Sequence, residues 1–294
     1  AEYLKAAGLA ERGVVVGYDT RFESDAFAAA VAEVLAAHDI KVYLCDKAAP
    51  TPVVGFAILT HQAGGSIVIT SSHNPGVYSG FKVRTEYAGS APPEVLTQIE
   101  QRIDESYGQA PPRVPLEEAT ARGLVRMIDP KGPYLAHVGK LVDLGRLRNA
   151  GLRVVADPMF GAGAGYISEL LAGGSTVVHE IRGEVKPAFP GMHNPEPILR
   201  NLDATINAIR EYGAQVALCT DGDADRIGVM DANGRFVNQL ETFALLVYYL
   251  LEVRGERGPI VKSITTTSMV KKLGEIYGVD VHETGVGWHL GAGK

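Results

Sequence analysis

Short apolar runs, each broken by a polar or glycine-bearing turn, recur along the first two thirds of the chain. Val14-Val15-Val16, residues 41–45 and Ile67-Val68-Ile69 have the length and β-branched content of buried strands. Between them, residues 27–37 and 52–61 have the length and apolar content of helices, with Ser24 placed to cap the first. This βαβ rhythm predicts a mainly parallel sheet covered on both faces. A helix is expected over 90–103, opened by Ala-Pro-Pro, and residues 107–132 form a poorly periodic connector. The rhythm then resumes with different letters, with strands at 152–156, 176–181, 216–219 and 227–230. From Gly234 a third unit begins: a helix over 240–253, a strand over 260–264, a helix over 267–276 and a strand over 279–282. The expected fold is therefore α/β, with consecutive mixed-sheet α/β domains carrying helices on both faces. The expected domains are 1–132, 133–235 and a partial third over 236–294.

Composition narrows the partners. With 294 residues, 46% of them hydrophobic, the chain is long enough for two sizeable cores. A net charge of −6 argues against nucleic acid or a membrane surface as partner. The most apolar helix, near 243–251, is too short to cross a bilayer, and no signal peptide is visible, so a soluble cytoplasmic protein is expected. Cys45 and Cys219 each close an apolar run, which reads as buried reduced thiols rather than a disulfide or zinc pair.

Two stretches carry candidate chemistry. The strand at 67–69 breaks into Thr70-Ser71-Ser72-His73-Asn74-Pro75. Pro75 stops the strand and keeps Asn74 out of helical dihedrals, so the Ser71 and Ser72 hydroxyls sit on a stiff loop at a strand's carboxyl end. Open α/β sheets place ligands at that edge. A serine that carries a phosphoryl group needs a base, a metal ion or positive charge beside it, and His73 and Lys82 are near in sequence. An ordinary polar turn is the plainer alternative.

The second stretch follows the strand at 216–219 and reads Thr220-Asp221-Gly222-Asp223-Ala224-Asp225-Arg226. Three carboxylates at alternate positions repel one another unless a cation lies among them, and their hard oxygens suit Mg²⁺. An EF-hand loop does not fit, because its sixth position would be Arg226 instead of Gly and its twelfth Ala232 instead of Glu. Arg226 could grip a phosphate or carboxylate in bidentate fashion. If the two strand ends correspond in consecutive α/β units, the active site lies in the interdomain cleft. A glycine-rich turn at 157–165 could cradle phosphate but reads better as a structural turn, and His193 in the proline-rich stretch 189–197 reads as a surface or loop-bracing histidine.

Residues 70–75 with Tyr78-Ser79-Gly80-Phe81-Lys82, and residues 221–226, resemble the phosphoserine and metal loops of the α-D-phosphohexomutases, the phosphoglucomutase/phosphomannomutase family. Asp19-Thr20-Arg21, Thr51-Pro52 and Thr284-Gly285-Val286-Gly287-Trp288 match that family in order and spacing. The resemblance implies a Mg²⁺-dependent isomerase that interconverts hexose 1-phosphate and hexose 6-phosphate through a phosphoserine enzyme and a bisphosphorylated sugar. It implies Ser72 as phosphoryl carrier and Ser72, Asp221, Asp223 and Asp225 as metal ligands. Lys82 and Arg226 are implied at the reacting phosphate, with Lys82 a general acid/base candidate and His73, beside Ser72 in sequence, a further catalytic candidate; Arg21, Thr284, Gly285 and Trp288 are expected at the substrate, a glucose or mannose phosphate. His289 stands where family phosphoglucomutases often have lysine. The resemblance also implies that this chain covers only about two thirds of the family's architecture, without the amino-terminal segment with its Gly- and Arg-bearing loop, the acidic sugar-reading loop and the carboxyl-terminal phosphate-binding domain. Turnover by the chain alone is then expected to be weak or absent, from a monomer or dimer. Two other functions stay open at this stage: a metal-dependent phosphatase with Asp221 as nucleophile, and a non-catalytic sugar-phosphate-binding module.

Overall fold

The computed structural model describes residues 1–286. Strand β1 (Val14–Tyr18) is apolar throughout because it is covered on both sides. Val14 and Val16 pack under the helix Ser24–Ala37 with Ala28, Ala32 and Leu35, while Val15 faces the helix Thr51–His61 with Val54 and Ile58. Parallel neighbours β2 (Val42–Cys45) and β3 (Gly65–Ile69) flank β1. Beyond them lie β4 (Phe81–Thr85), antiparallel to β3, and β5 (Val125–Ile128), parallel to β2. The order is β4-β3-β1-β2-β5.

Three local expectations change. Ser24 begins its helix instead of capping it; the position before it is Glu23 at φ +53°, and the Ser24 hydroxyl donates to Asp19 Oδ1 at 3.1 Å. The helix expected over 90–103 runs Pro93–Glu105. The connector holds a helix, Leu116–Ala121, and the edge strand β5. Ala119 is buried against the helix Ser24–Ala37 and Val125 in the same core, so neighbours, not sequence period, order this stretch.

The second sheet, β10-β9-β8-β6-β7, is built from β6 (Arg153–Asp157), β7 (Val177–Glu180), β8 (Val216–Thr220), β9 (Ile227–Asp231) and β10 (Phe236–Val237). Its β9-β8-β6-β7 part repeats β4-β3-β1-β2 in position and direction, with β7 and β8 parallel to β6 and β9 antiparallel to β8. The two sheets differ in which edge receives the fifth strand. Leu202, with Ala208 and Ile209 of the helix Asp203–Tyr212, covers one face of this sheet over Val155, Ala217, Cys219 and Met230. β10 carries the sheet beyond the boundary expected at 235. The connections β3 to β4 and β8 to β9 are thus topological equivalents, each leaving the carboxyl end of the strand that pairs in parallel with its sheet's first strand, β1 or β6.

The third unit holds the helix Gln239–Tyr248, opened by an Asn238/Glu241 capping box and prolonged by a π-helical turn, Tyr249–Val253. It packs with the helix Met269–Tyr277 around Val247, Leu251 and Val270, beside the parallel pair β11 (Ile260–Ser263) and β12 (Val281–Thr284). Cys45 and Cys219 are buried and unpaired, in different sheets. Among the described residues no helix is long and apolar enough to cross a membrane.

Candidate active site

After β1 the chain enters Asp19-Thr20-Arg21, all buried. Arg21 Nε and its backbone N–H donate to Asp19 at 3.0 and 2.9 Å. Its other four N–H groups go to loop carbonyls: Pro75 and Tyr78 at 2.9 and 3.0 Å, Ser72 and Asn74 both at 2.7 Å. One buried cation therefore gathers the loop after β3, with its charge matched by Asp19. This differs from the role expected for Arg21. At 3% exposure and with all five guanidinium donors engaged, Arg21 has none left for a substrate phosphate.

The same clamp shapes the serines. Thr70 donates to Asp19 at 2.6 Å and accepts the Ser72 N–H at 2.8 Å, and Ser72 sits in the left-handed region at φ +53°. Such a conformation in a non-glycine residue stores strain and is held by its surroundings. Ser71 Oγ is taken up within the loop by Asn74 Nδ2 at 3.1 Å. Ser72 Oγ faces the second domain and donates to Asp221 Oδ2 at 3.3 Å, with His73 Nδ1 3.4 Å from the same oxygen.

The acidic loop is held in the opposite sense. Asp221 Oδ1 accepts the backbone N–H groups of Asp225 and Arg226, both at 3.0 Å, and Ala224 sits at φ +52°. Asp221 and Asp223 have no solvent exposure, while Asp225 is exposed. Asp223 Oδ2 accepts from Thr51 Oγ1 and from Lys82 Nζ, each at 2.6 Å, and Lys82 also reaches Asp225 at 3.1 Å. Thr51 opens the helix Thr51–His61, whose positive amino end adds to the field at Asp223. The loops touch so closely that a Cβ on Gly222 would lie 2.6 Å from the Ser72 carbonyl.

Oxygens of Asp221, Asp223 and Asp225 lie within 4.8 Å of one another. Burial, then the charges of Asp223 and Asp225, pushes the Asp221 carboxyl up to about 8. Burial acts on Asp223 in the same direction, but the Lys82 ammonium and its hydrogen bond hold that carboxyl below its ordinary range. Lys82 is raised in turn, because the two aspartates outweigh the burial that would lower it. Asp223 Oδ1 is buried without a hydrogen-bond partner. A set of hard oxygens with one orphaned lone pair fits a divalent cation such as Mg²⁺.

The other expected residues divide. Arg226 turns its guanidinium to Glu196 Oε1 at 2.8 Å and stays half exposed. Thr284 ends β12 in the third unit and Gly285 follows it; Thr284 Oγ1 donates to the Gly285 carbonyl at 3.1 Å, and among the described residues no hydrogen bond joins them to either loop. Trp288 and His289 lie outside the described residues. The turn at 157–165 supports the acidic loop: Ala162 N–H donates to the Gly222 carbonyl at 2.9 Å, and a Cβ on Gly161 would meet that carbonyl at 2.7 Å. His193 Nδ1 lies 3.2 Å from Asn194 Oδ1, in keeping with a loop brace. Sequence reasoning gave no site role to Asp19, Thr51, Asn194 or Glu196. For the first two a signal was present, since each belongs to a short polar motif beside a buried element.

Two family models match the chain: phosphoglucomutase/phosphomannomutase alpha/beta/alpha domain I over residues 1–109, and domain II of the same family over 132–234. A "Probable phosphoglucosamine mutase" of Pyrococcus furiosus is 33% identical over 256 residues, covering 87% of this chain and 54% of its own length. A phosphoglucomutase of Staphylococcus epidermidis is 30% identical over 301 residues, covering 98% of this chain and 54% of its own. A crystal structure from Thermus thermophilus, described as a "putative phosphomannomutase", superimposes with a TM-score of 0.86 at 35% identity, covering 97% of this chain and 63% of that one. The chain thus spans about half the length of these two curated relatives.

Proposed function

Since the chain belongs to the phosphoglucomutase/phosphomannomutase family, we propose that it carries the phosphoryl-transfer half of a hexose-phosphate mutase, an isomerase that works through a phosphoserine at Ser72. The observation that carries this reading is the approach of Ser72 Oγ to 3.3 Å from Asp221 across the domain interface. In the proposed reaction the phosphorus–oxygen bond to Ser72 breaks as a sugar hydroxyl oxygen bonds to phosphorus, and the hydroxyl proton leaves to a neighbouring base. The reverse transfer from a hexose bisphosphate returns the phosphoryl group to Ser72. Such transfer asks mainly for positioning and for charge opposite the equatorial oxygens.

Each residue has a part in this. The Arg21 clamp fixes the loop, so that Ser72 and not Ser71 faces the second domain. His73 Nδ1, 3.4 Å from Ser72 Oγ, is placed to take or return that hydroxyl's proton. Lys82, kept charged by Asp223 and Asp225, is placed to neutralise the transferring group and to act as the general acid. Asp221, Asp223 and Asp225, with Ser72, are the ligands proposed for Mg²⁺, which when bound offsets the negative charge of the phosphoryl oxygens. Asp221 as a phosphatase nucleophile is less well supported, since it is fully buried with Oδ1 engaged by two amides. The relatives' names cover glucose, mannose and glucosamine phosphates, so the substrate proposed is a hexose phosphate as a class.

The test is intact-mass measurement after incubation with Mg²⁺ and a hexose bisphosphate. The chain and Ser71→Ala should each gain one phosphate, and Ser72→Ala none. Labelling of Ser72→Ala at the wild-type level would overturn the assignment.

A further inference from the structure

The loop over 186–197 reaches both halves of the site at once. Asn194, 6% exposed, donates from Nδ2 to the His73 backbone carbonyl across the domain interface at 2.9 Å and to Glu196 Oε2 at 3.2 Å. Its Oδ1 accepts from Asn201 Nδ2 and Arg200, each at 3.2 Å. Asn201 fixes the loop further by donating to the backbone carbonyls of Asn194 and Glu196, both at 2.9 Å. The Asn201 carbonyl receives Arg182, which pairs with the buried Asp157 that ends β6. On the other side, Pro195 accepts the Gly222 N–H at 3.1 Å and Glu196 holds Arg226. One amide therefore stands where a connected polar chain from the end of β6 meets the residue after Ser72.

We propose that Asn194 is a positioning residue for phosphoryl transfer, holding Ser72 in register with the three carboxylates through the His73 carbonyl. This rests on the phosphoserine reading. The Asn194 amide bonds to neither Ser72 Oγ nor the carboxylate oxygens of the triad, so its effect passes through the loop. Only a side chain with both a donor and an acceptor fits the place: the donor faces two oxygens and the acceptor faces two N–H donors. Misplacement of a reacting atom by about 1 Å can cost about 100-fold in rate, so one interdomain hydrogen bond beside the nucleophile is read in the rate.

The test uses the full chain with Mg²⁺ and a hexose bisphosphate. In Asn194→Ala, labelling of Ser72 should slow by about tenfold to 100-fold. The half-saturating bisphosphate concentration and the Mg²⁺ affinity should stay within about threefold of wild type. Amide hydrogen exchange should quicken about tenfold in the 70–80 peptide and stay unchanged in the strands β6, β8 and β9. Should Asn194→Ala fail to fold, Asn194→Asp, nearly isosteric but with a carboxylate facing the His73 carbonyl, is measured in the same way with the same expectation. Unchanged exchange at 70–80, labelling within about twofold of wild type, or loosening across the whole second domain with a matching loss of Mg²⁺ affinity each overturns the proposal. A wild-type chain that gains no phosphate overturns the phosphoserine reading instead. The exchange comparison then decides by itself whether Asn194 holds the loop.

Discussion

The β3–β4 and β8–β9 connections occupy the same place in two sheets of matching order, yet one is organised around a buried donor side chain and the other around a buried acceptor. In the first domain a buried cation, Arg21, collects four carbonyls and leaves a hydroxyl, Ser72, at the interface. In the second a buried carboxyl, Asp221, collects two amides and leaves carboxyl oxygens there. Each loop also holds a non-glycine residue at positive φ, Ser72 and Ala224. One topology thus builds two complementary half-sites, because a donor or an acceptor side chain at the loop's centre decides which backbone groups turn inward. Lys82, on β4 of the first domain, crosses to the second domain's acids and closes the pair electrostatically.

Breaking the first half at its centre should have the largest effect. Arg21→Met leaves Asp19 buried without its ion pair and four carbonyls without donors, and should cost about 3–5 kcal/mol of stability in urea unfolding. Removing the bridge comes next. Lys82→Ala should slow phosphoryl transfer to Ser72 by about 10²–10³-fold, measured by single-turnover labelling, while the fold is retained. Pushing the halves apart is milder: Gly222→Ala places a methyl 2.6 Å from the Ser72 carbonyl, and overpacking of this kind costs about 1–3 kcal/mol in thermal or urea unfolding. The smallest effect is the pH dependence of the second half. Asp221, raised to about 8 by burial and by its neighbours' charge, carries a proton below that pH in the metal-free chain. Mg²⁺ must displace this proton. Affinity by calorimetry should rise with pH by at most about tenfold per unit and level off above about 8, and a flat profile from pH 6 to 8 would contradict this.

The sequence was informative where burial on two faces leaves a continuous apolar run, as in β1, and where chemistry is written in consecutive residues, as at 70–75 and 221–226. It was silent where order comes from a neighbour. β4 reads Phe-Lys-Val-Arg-Thr and β5 lies in an aperiodic connector, and both are strands because β3 and β2 offer free edges. Arg21 shows the same limit at the site. Its position after a strand marks it as functional, but only the fold shows that Asp19 and the loop's own carbonyls together use every donor. Asn194 was hidden for a related reason: its partner, the His73 carbonyl, is a backbone group more than a hundred residues away.

The central claim is that Ser72 and the three aspartates form one site. A crystal structure of the chain with Mn²⁺ in place of Mg²⁺, using anomalous scattering, tests it most directly. The expected result is one peak at about 2.0–2.2 Å from oxygens of Asp221, Asp223 and Asp225, with Ser72 Oγ or its phosphate completing the coordination. A metal bound by the aspartates with Ser72 turned away from it, or bound elsewhere altogether, would contradict the account.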